Sequence, residues 1–367
     1  MSRGDAASAI VVGAGAFGAA TADALARRGW AVTVVEQYAP ANARGSSGDR
    51  TRLLRVGHGE AAEHEDLHYI RSAARGIALW RALSDAGPAP LLVPTGLVWL
   101  AAAEDGVEAR AAARMRKAGA PFERLDPRET AALFPSMAVD DLAWSLHEPD
   151  ACVIRAGTAV EALLRRAAEH GARVLLDRAA PAGPGTVSVA GGTLAADAVV
   201  WACGAWLGAL FPALAPVRPT WQDVLHWAAP PAWRDGPAWF DDRAGLYGFP
   251  DVDGLGVKAV SHHPGPAFDL DRDARVPQPA RAAEVAAYLG RRFPALAGAG
   301  LLWARVMPYE MTPDSHFVAG PADVAGHWLL GGGSGHGFKH APALGEHLAD
   351  LVEGRAEVVP MWRPRPG

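Results

Sequence analysis

Two hydrophobic periods alternate along the chain. Residues 9–12 are a short apolar run, as expected of a strand buried on both faces. A helix-compatible stretch then continues to Arg28 and stops at Gly29, and residues 32–35 form a second apolar strand ending on Glu36. Farther along, residues 158–171 predict a helix leading to a strand at 174–176, and the segment around Val199 is another buried strand. These are the parts of a parallel sheet. Residues 91–100 and 221–260 have a different texture, richer in Trp and Pro with alternating apolar positions, and predict an antiparallel sheet. The Pro-containing stretches 213–219 and 277–279 are expected to be crossing or surface loops. No internal repeat interrupts the pattern.

The first strand runs into Gly13, Ala14, Gly15, Ala16, Phe17 and Gly18, and the acid Glu36 closes the second strand. Strand, glycine turn, helix, strand and acid in about 30 residues is the arrangement that binds an adenine dinucleotide. Gly13 permits the tight turn, Gly15 lets the backbone approach a pyrophosphate, and Gly18 allows close helix–strand packing. The helix N-terminus offers its positive end to the phosphates, and Glu36 is placed to accept from a ribose hydroxyl. FAD and NAD satisfy these residues equally. The fold class expected is α/β, a Rossmann-like dinucleotide domain with a second α+β domain on a mostly antiparallel sheet. The first is expected from residues 1–84, 149–217 and 318–367, the second from 85–148 and 218–317.

Composition narrows the partners. Half of the 367 residues are apolar, enough for one large core or two moderate ones. No apolar run is long enough to cross a bilayer, and residues 1–8 lack the apolar stretch of a signal peptide, so a cytoplasmic location is expected. Cys152 and Cys203 lie far apart and form no CxxC, which argues against a disulfide framework or a zinc site. A formal charge of −5 without a basic stripe excludes nucleic acid as an expected partner. Only Lys117, Lys258 and Lys339 are lysines among 35 basic residues, so each merits attention. Lys117, in an Arg-Met-Arg-Lys run, is most simply a solvated charge on a helix.

Further blocks stand along the chain. Residues 45–55 read Gly-Ser-Ser-Gly-Asp-Arg-Thr-Arg-Leu-Leu-Arg, residues 246–250 Leu-Tyr-Gly-Phe-Pro, and residues 256–258 Gly-Val-Lys. Residues 312–317 read Thr-Pro-Asp-Ser-His-Phe and residues 332–339 Gly-Gly-Ser-Gly-His-Gly-Phe-Lys. In order and spacing, from about residue 9 to residue 350, they resemble the monomeric sarcosine oxidase and N-methyltryptophan oxidase family of D-amino-acid-oxidase-like flavoproteins. The segment 196–206, an apolar strand meeting Gly204, Ala205 and Trp206, is similar to the second flavin-contacting turn of these proteins.

The resemblance implies FAD, held by Gly13, Ala14, Gly15, Ala16, Phe17, Gly18, Glu36, Gln37, Ser46, Ser47, Arg52, Gly204, Trp206, Gly333, Gly335, His336, Gly337 and Lys339. It implies that Arg55 and Lys339 hold the substrate carboxylate, a planar fork and a point charge on one anion. An ordinary ion pair with one of the acids that follow is the alternative for Arg55. Arg52 matches the arginine against the flavin ring, and Lys258 the lysine of oxygen activation. Tyr247, His262 and Tyr309 match positions that shape the cavity. Two departures stand out. Met307 replaces the cysteine that tethers the flavin, so FAD is expected to be non-covalent, and Ser47-Gly48 stands where the sarcosine oxidases have a His pair.

The expected activity is oxidation of the C–N bond of a small secondary amine or amino/imino acid to an imine, oxygen being reduced to hydrogen peroxide by a monomer. A dehydrogenase using another electron acceptor, and a non-catalytic flavoprotein, are the alternatives. The 13 tryptophans are expected to be mainly core; several at the site would favour a bulky or cyclic imino acid.

Overall fold

The structure, a computed structural model, describes residues 6–365. A six-stranded sheet carries the strands Val318–Pro321, His327–Gly331, Ala198–Trp201, Ser8–Val12, Ala31–Glu36 and Arg173–Leu176 in that spatial order. Every pair is parallel except the first, where Val318–Pro321 runs antiparallel along one edge. Parallel strands need their two faces covered, which explains the apolar run Ala-Ile-Val-Val and the nearly apolar Val-Thr-Val-Val. On one face the helix Ala16–Arg27 packs between Ala156–Glu169 and Ala341–Val352. Its six alanines and buried Phe17 and Leu25 let the neighbouring helices come close at little cost in side-chain entropy.

The second sheet has eight strands, in the order Leu301–Met311, Arg218–Trp227, Val257–Ser261, Leu246–Phe249, Ala238–Asp241, Leu97–Ala101, Trp144–Glu148 and Glu123–Leu125. It is antiparallel except where Ala238–Asp241 meets Leu97–Ala101. The helix Pro279–Arg292 contributes Val285, Tyr288 and Leu289 to a core with Leu225, Trp233, Trp239 and Phe293 on one face of this sheet. A third sheet of three strands, Thr51–Leu54, Cys152–Arg155 and Leu92–Pro94, carries Arg52 of the 45–55 run, with Arg50 and Arg55 just outside it.

The mixed α/β architecture expected from the pattern is present. The segment 91–100 is not one strand, because Gly96, at φ +66°, turns the chain out of the three-stranded sheet and into the eight-stranded one. The expected helix at 158–171 is Ala156–Glu169. Two loop expectations are corrected at their ends: Pro279 opens a helix, where its missing N–H costs nothing, and Arg218 and Pro219 already belong to a strand. Trp80, Trp99, Trp201, Trp233 and Trp239 are fully buried core residues, and Lys117 is an exposed helical charge. Cys152 and Cys203 are both free. Among the described residues no helix is long and apolar enough to cross a membrane.

Candidate active site

A cavity opens at the carboxyl ends of Ser8–Val12, Ala31–Glu36 and Ala198–Trp201, where an open parallel sheet places its ligands. The glycine turn forms its floor. Gly13, at φ +105°, lies so close to the next strand that a Cβ there would stand 2.4 Å from the Ala202 carbonyl oxygen, and a Cβ on Gly18 would stand 1.9 Å from the Gly13 carbonyl oxygen. Both positions therefore require glycine. The helix Ala16–Arg27 begins at Gly15 without a side-chain cap, and only the Ala16 N–H is taken up, by Ser47 Oγ at 3.0 Å. Its first turn thus keeps free N–H groups for an anion. Glu36 accepts from the Ala14 N–H at 2.8 Å and the Tyr38 N–H at 3.0 Å, which fixes its carboxylate at the cavity wall.

Of the expected cofactor residues, Gly13, Gly15, Ala16, Phe17, Glu36, Gln37, Ser46, Ser47 and Arg52 line this cavity. So do Gly204, Trp206, Gly333, Gly335 and Gly337 from the opposite side. Ala14, Gly18, His336 and Lys339 do not: Ala14 is bound to Glu36, Gly18 is packed against Gly13, and the other two belong to a neighbouring polar cluster. Residues that sequence reasoning passed over also line it, among them Asn42, Asp177, Arg178, Cys203 and Glu310. Asp177 and Arg178 follow the strand Arg173–Leu176 and are legible from the rule that strand ends face the ligand.

Next to the cavity three charges interlock. Lys258 Nζ lies 2.6 Å from Asp49 Oδ2 and donates at 3.0 Å to the Thr51 carbonyl, while Arg52 Nη1 meets the same Asp49 oxygen at 2.5 Å. Burial opposes the charge on Asp49, but Lys258 and then Arg52 outweigh it and hold the carboxyl well below the usual carboxylate range. Burial pulls Lys258 down to about 8 against the opposing effect of Asp49. Arg52 also donates to the Ser46 carbonyl and touches Met307 Sδ at 3.0 Å. Tyr309 lines the cavity and its hydroxyl lies 3.1 Å from that of Tyr247. Burial raises both phenols, so both stay neutral and free to donate.

A second group surrounds Arg55. Its guanidinium lies over the Trp99 and Phe240 rings, at 4.6 and 5.5 Å, and donates to the Gly57 carbonyl. Glu60, half exposed, stands 3.8 Å from both Arg55 Nη2 and His262 Nε2. Glu148 was not expected. It accepts from the Val56 and Gly57 N–H groups at 2.8 and 3.1 Å and from Trp99 Nε1 at 2.8 Å, fixing the chain that follows Arg55. Lys339 is buried, and burial followed by Arg55 drives its ammonium well below its ordinary pKa. Among the described residues it has no hydrogen-bond or ion-pair partner.

Beside Lys339 the ring nitrogens of His58, His336 and His340 lie within 4.8 Å of one another, one on each without a hydrogen-bond partner. Burial and the Lys339 charge lower all three, so the rings are neutral; the same charge and Arg55 oppose a cation at this point.

The family model for FAD dependent oxidoreductases matches residues 8–351. The chain belongs to that family. It is 29% identical over 368 residues to an N-methyl-L-tryptophan oxidase of Salmonella newport, covering 94% of each chain. It is 29% identical over 364 residues to a monomeric sarcosine oxidase of Streptomyces avermitilis, covering 94% of this chain and 92% of that one. The crystal structure of an L-proline dehydrogenase from P. horikoshii superposes with a TM-score of 0.81 at 23% identity, covering 97% and 96% of the two chains, and so shares the fold.

The cavity fits FAD on its own evidence. The uncapped helix start suits a diphosphate, the fixed Glu36 carboxylate suits a ribose, and two buried polar atoms in its wall, Trp206 Nε1 and Glu310 Oε2, have no partner among the described residues. FAD is the cofactor of this oxidoreductase, and the cavity at the glycine-rich strand ends has the lining to accept it.

Proposed function

We propose that the chain oxidises the C–N bond of a small secondary amine or amino/imino acid, N-methyl or cyclic, that carries a carboxylate. The observation that supports this most strongly is the pair of buried cations. Burial and then Arg55 lower the tolerance of Lys339 for its charge, and among the described residues no acid is hydrogen-bonded to it. An uncompensated buried ammonium is costly, and a substrate carboxylate supplies the missing charge. The two relatives named for N-methyl-L-tryptophan and for sarcosine fit the same substrate class.

Bound FAD would supply the two-electron acceptor for this oxidation, the hydride from carbon and the proton from nitrogen ending on oxygen as hydrogen peroxide while the substrate is left as an imine. The protein's part is placement. Arg55 and Lys339 hold the carboxylate, Arg55 being kept in plane by Trp99 and Phe240. Tyr247, Tyr309 and His262 close the site with neutral groups, so the positive charge stays with the clamp. Arg52, on the cavity wall, places a fixed cation beside the cofactor. We assign Lys258 to the oxygen half-reaction as an expected role, and Met307 leaves no thiol to tether FAD at that position.

A dehydrogenase is the second reading, favoured by one observation: Lys258 is already paired with Asp49 at 2.6 Å, which offsets the charge it would offer to oxygen. Anaerobic reduction by substrate followed by admission of air separates the two. The oxidase reading expects rapid return of the oxidised flavin spectrum with stoichiometric peroxide; a reduced spectrum that persists in air and clears only with an added acceptor establishes the dehydrogenase. We further propose a monomer of the cytoplasm, in keeping with its free cysteines. Its FAD domain would be residues 1–84, 149–217 and 318–367 and its substrate domain 85–148 and 218–317, a division supported by the strands that compose the two large sheets.

A further inference from the structure

Glu310 sits near the end of the strand Leu301–Met311, in an otherwise apolar Met-Pro-Tyr-Glu-Met run. Its carboxyl lies between two glycine turns that leave adjacent strands of the six-stranded sheet. A Cβ on Gly333 would stand 2.6 Å from Glu310 Oε1, and Cβ atoms on Gly331 and Gly204 would stand 3.6 and 3.7 Å from Oε2. Only 8% of the residue is exposed, it lines the cofactor cavity, and Oε2 is buried without a hydrogen-bond partner. The backbone N–H groups of Gly332 and Gly333 are the only groups that favour its ionised form.

Among the described residues its surroundings hold no compensating cation. From the turn Gly204–Trp206 it meets no charged group, and the adjoining Cys203 is a thiol kept protonated by burial and by Glu36 and Glu310. From the loop after His327–Gly331 it meets the glycine backbone; His336 in that loop is bonded to the Ser315 carbonyl. On the paired strand Arg218–Trp227 its register partner is Pro219. Burial therefore dominates and lifts its titration to about 7.

An ionised carboxylate is an acceptor only, whereas the protonated acid also donates. FAD brings a diphosphate, ribityl and ribose oxygens and ring carbonyls, mostly acceptors, with negative charge on the diphosphate. We propose that Glu310 serves the cofactor as a neutral acid, donating its proton from Oε2 to an acceptor oxygen of bound FAD. Glu310 is thus a cofactor-positioning residue, and FAD binding takes up a proton wherever free Glu310 is ionised. This inference rests on the cofactor alone and stands or falls independently of the substrate class.

The test follows bound FAD by flavin fluorescence as holoenzyme is diluted at a series of values from about pH 6 to about pH 9, with slopes read by proton linkage. The Kd for FAD is expected to rise with pH above the titration of Glu310, by up to about tenfold per pH unit. Glu310→Gln keeps an N–H donor without a charge, and is expected to bind FAD with a flat profile near the parent's low-pH affinity. Infrared difference spectra of holoenzyme against Glu310→Gln at neutral pH should show a protonated carboxyl C=O band in the parent, a readout that holds even if FAD does not dissociate. A parent Kd that falls or stays level as pH rises, a Gln variant that keeps the slope, or absence of the carboxyl band overturns the proposal. Absence of the band would mean that Glu310 is ionised in the holoenzyme, and a slope kept by the Gln variant would mean that another group takes up the proton.

Discussion

Asp49 holds two of the cations assigned to the chemistry, Lys258 and Arg52, and is itself almost wholly buried. Removing one member of such a group strands the others. Asp49→Asn is expected to cost about 3–5 kcal/mol of stability, the usual cost of leaving a buried charge unpaired, read as a lower urea midpoint. The sign with pH follows from the lowered folded pKa of Asp49: the stability it gives is complete above the usual carboxylate range and is lost as pH falls. The Asn variant should lack that part of the acid limb. Lys258 has a different window. With its titration near 8, its charge fades as pH rises through that value. Flavin reoxidation should therefore slow above about pH 8 in the parent. Lys258→Met should slow reoxidation at all pH values far more than reduction by substrate, in stopped-flow traces of the two half-reactions. Slowing of reduction alone would move Lys258 to substrate placement.

At the scale of elements, legibility tracked how local the determining contacts are. The strand, glycine turn and helix from Ser8 to Arg27 form from neighbouring residues, and each glycine's task follows from its position. Arg55 and Lys339, proposed as the carboxylate clamp, were singled out because each stands in a distinctive block. Glu148 was not legible, because it acts on Val56 and Gly57 from 92 and 91 positions away in sequence and only strand pairing brings it there. His58 and His340 are ordinary polar residues in the sequence and become a cluster with His336 only through packing. Asp49 and Glu310 did carry a signal, an acid among arginines and an acid within an apolar strand, that reading by motif overlooked. The glycine turn gives the element-scale prediction. In Gly18→Ala the new methyl meets the Gly13 carbonyl at 1.9 Å, backbone against backbone, with no flexible side chain to yield. Helix and strand must separate, at an expected cost of about 1–3 kcal/mol. FAD affinity should fall with thermal stability, measured by fluorescence and by melting of the apoprotein. Unchanged binding would show that the turn tolerates the displacement.

The whole molecule joins a parallel sheet, which presents strand ends and a helix start to the cavity, to an antiparallel sheet whose strands supply Lys258, Tyr247 and Tyr309. The three-stranded sheet lies between them in sequence and bears Arg52, with Arg55 immediately after it. Neither large sheet makes a site alone. Because Met307 is a thioether, FAD should be freed entirely by acid or heat denaturation, and flavin precipitating with the polypeptide would reveal an attachment elsewhere. The central claim, that this enzyme recognises its amine through a carboxylate, is tested most directly by anaerobic bleaching of the flavin with a matched pair of substrates. One is a cyclic or N-methyl amino acid, the other the same amine without its carboxylate. The expected result is efficient bleaching by the amino acid and a loss of about 30- to 4,000-fold for the plain amine, the equivalent of about 2–5 kcal/mol for one partner of a buried charge pair. Arg55→Ala and Lys339→Ala should each impose a loss of that order on the amino acid and little further loss on the amine. Bleaching of the parent by the plain amine as readily as by the amino acid would contradict the account.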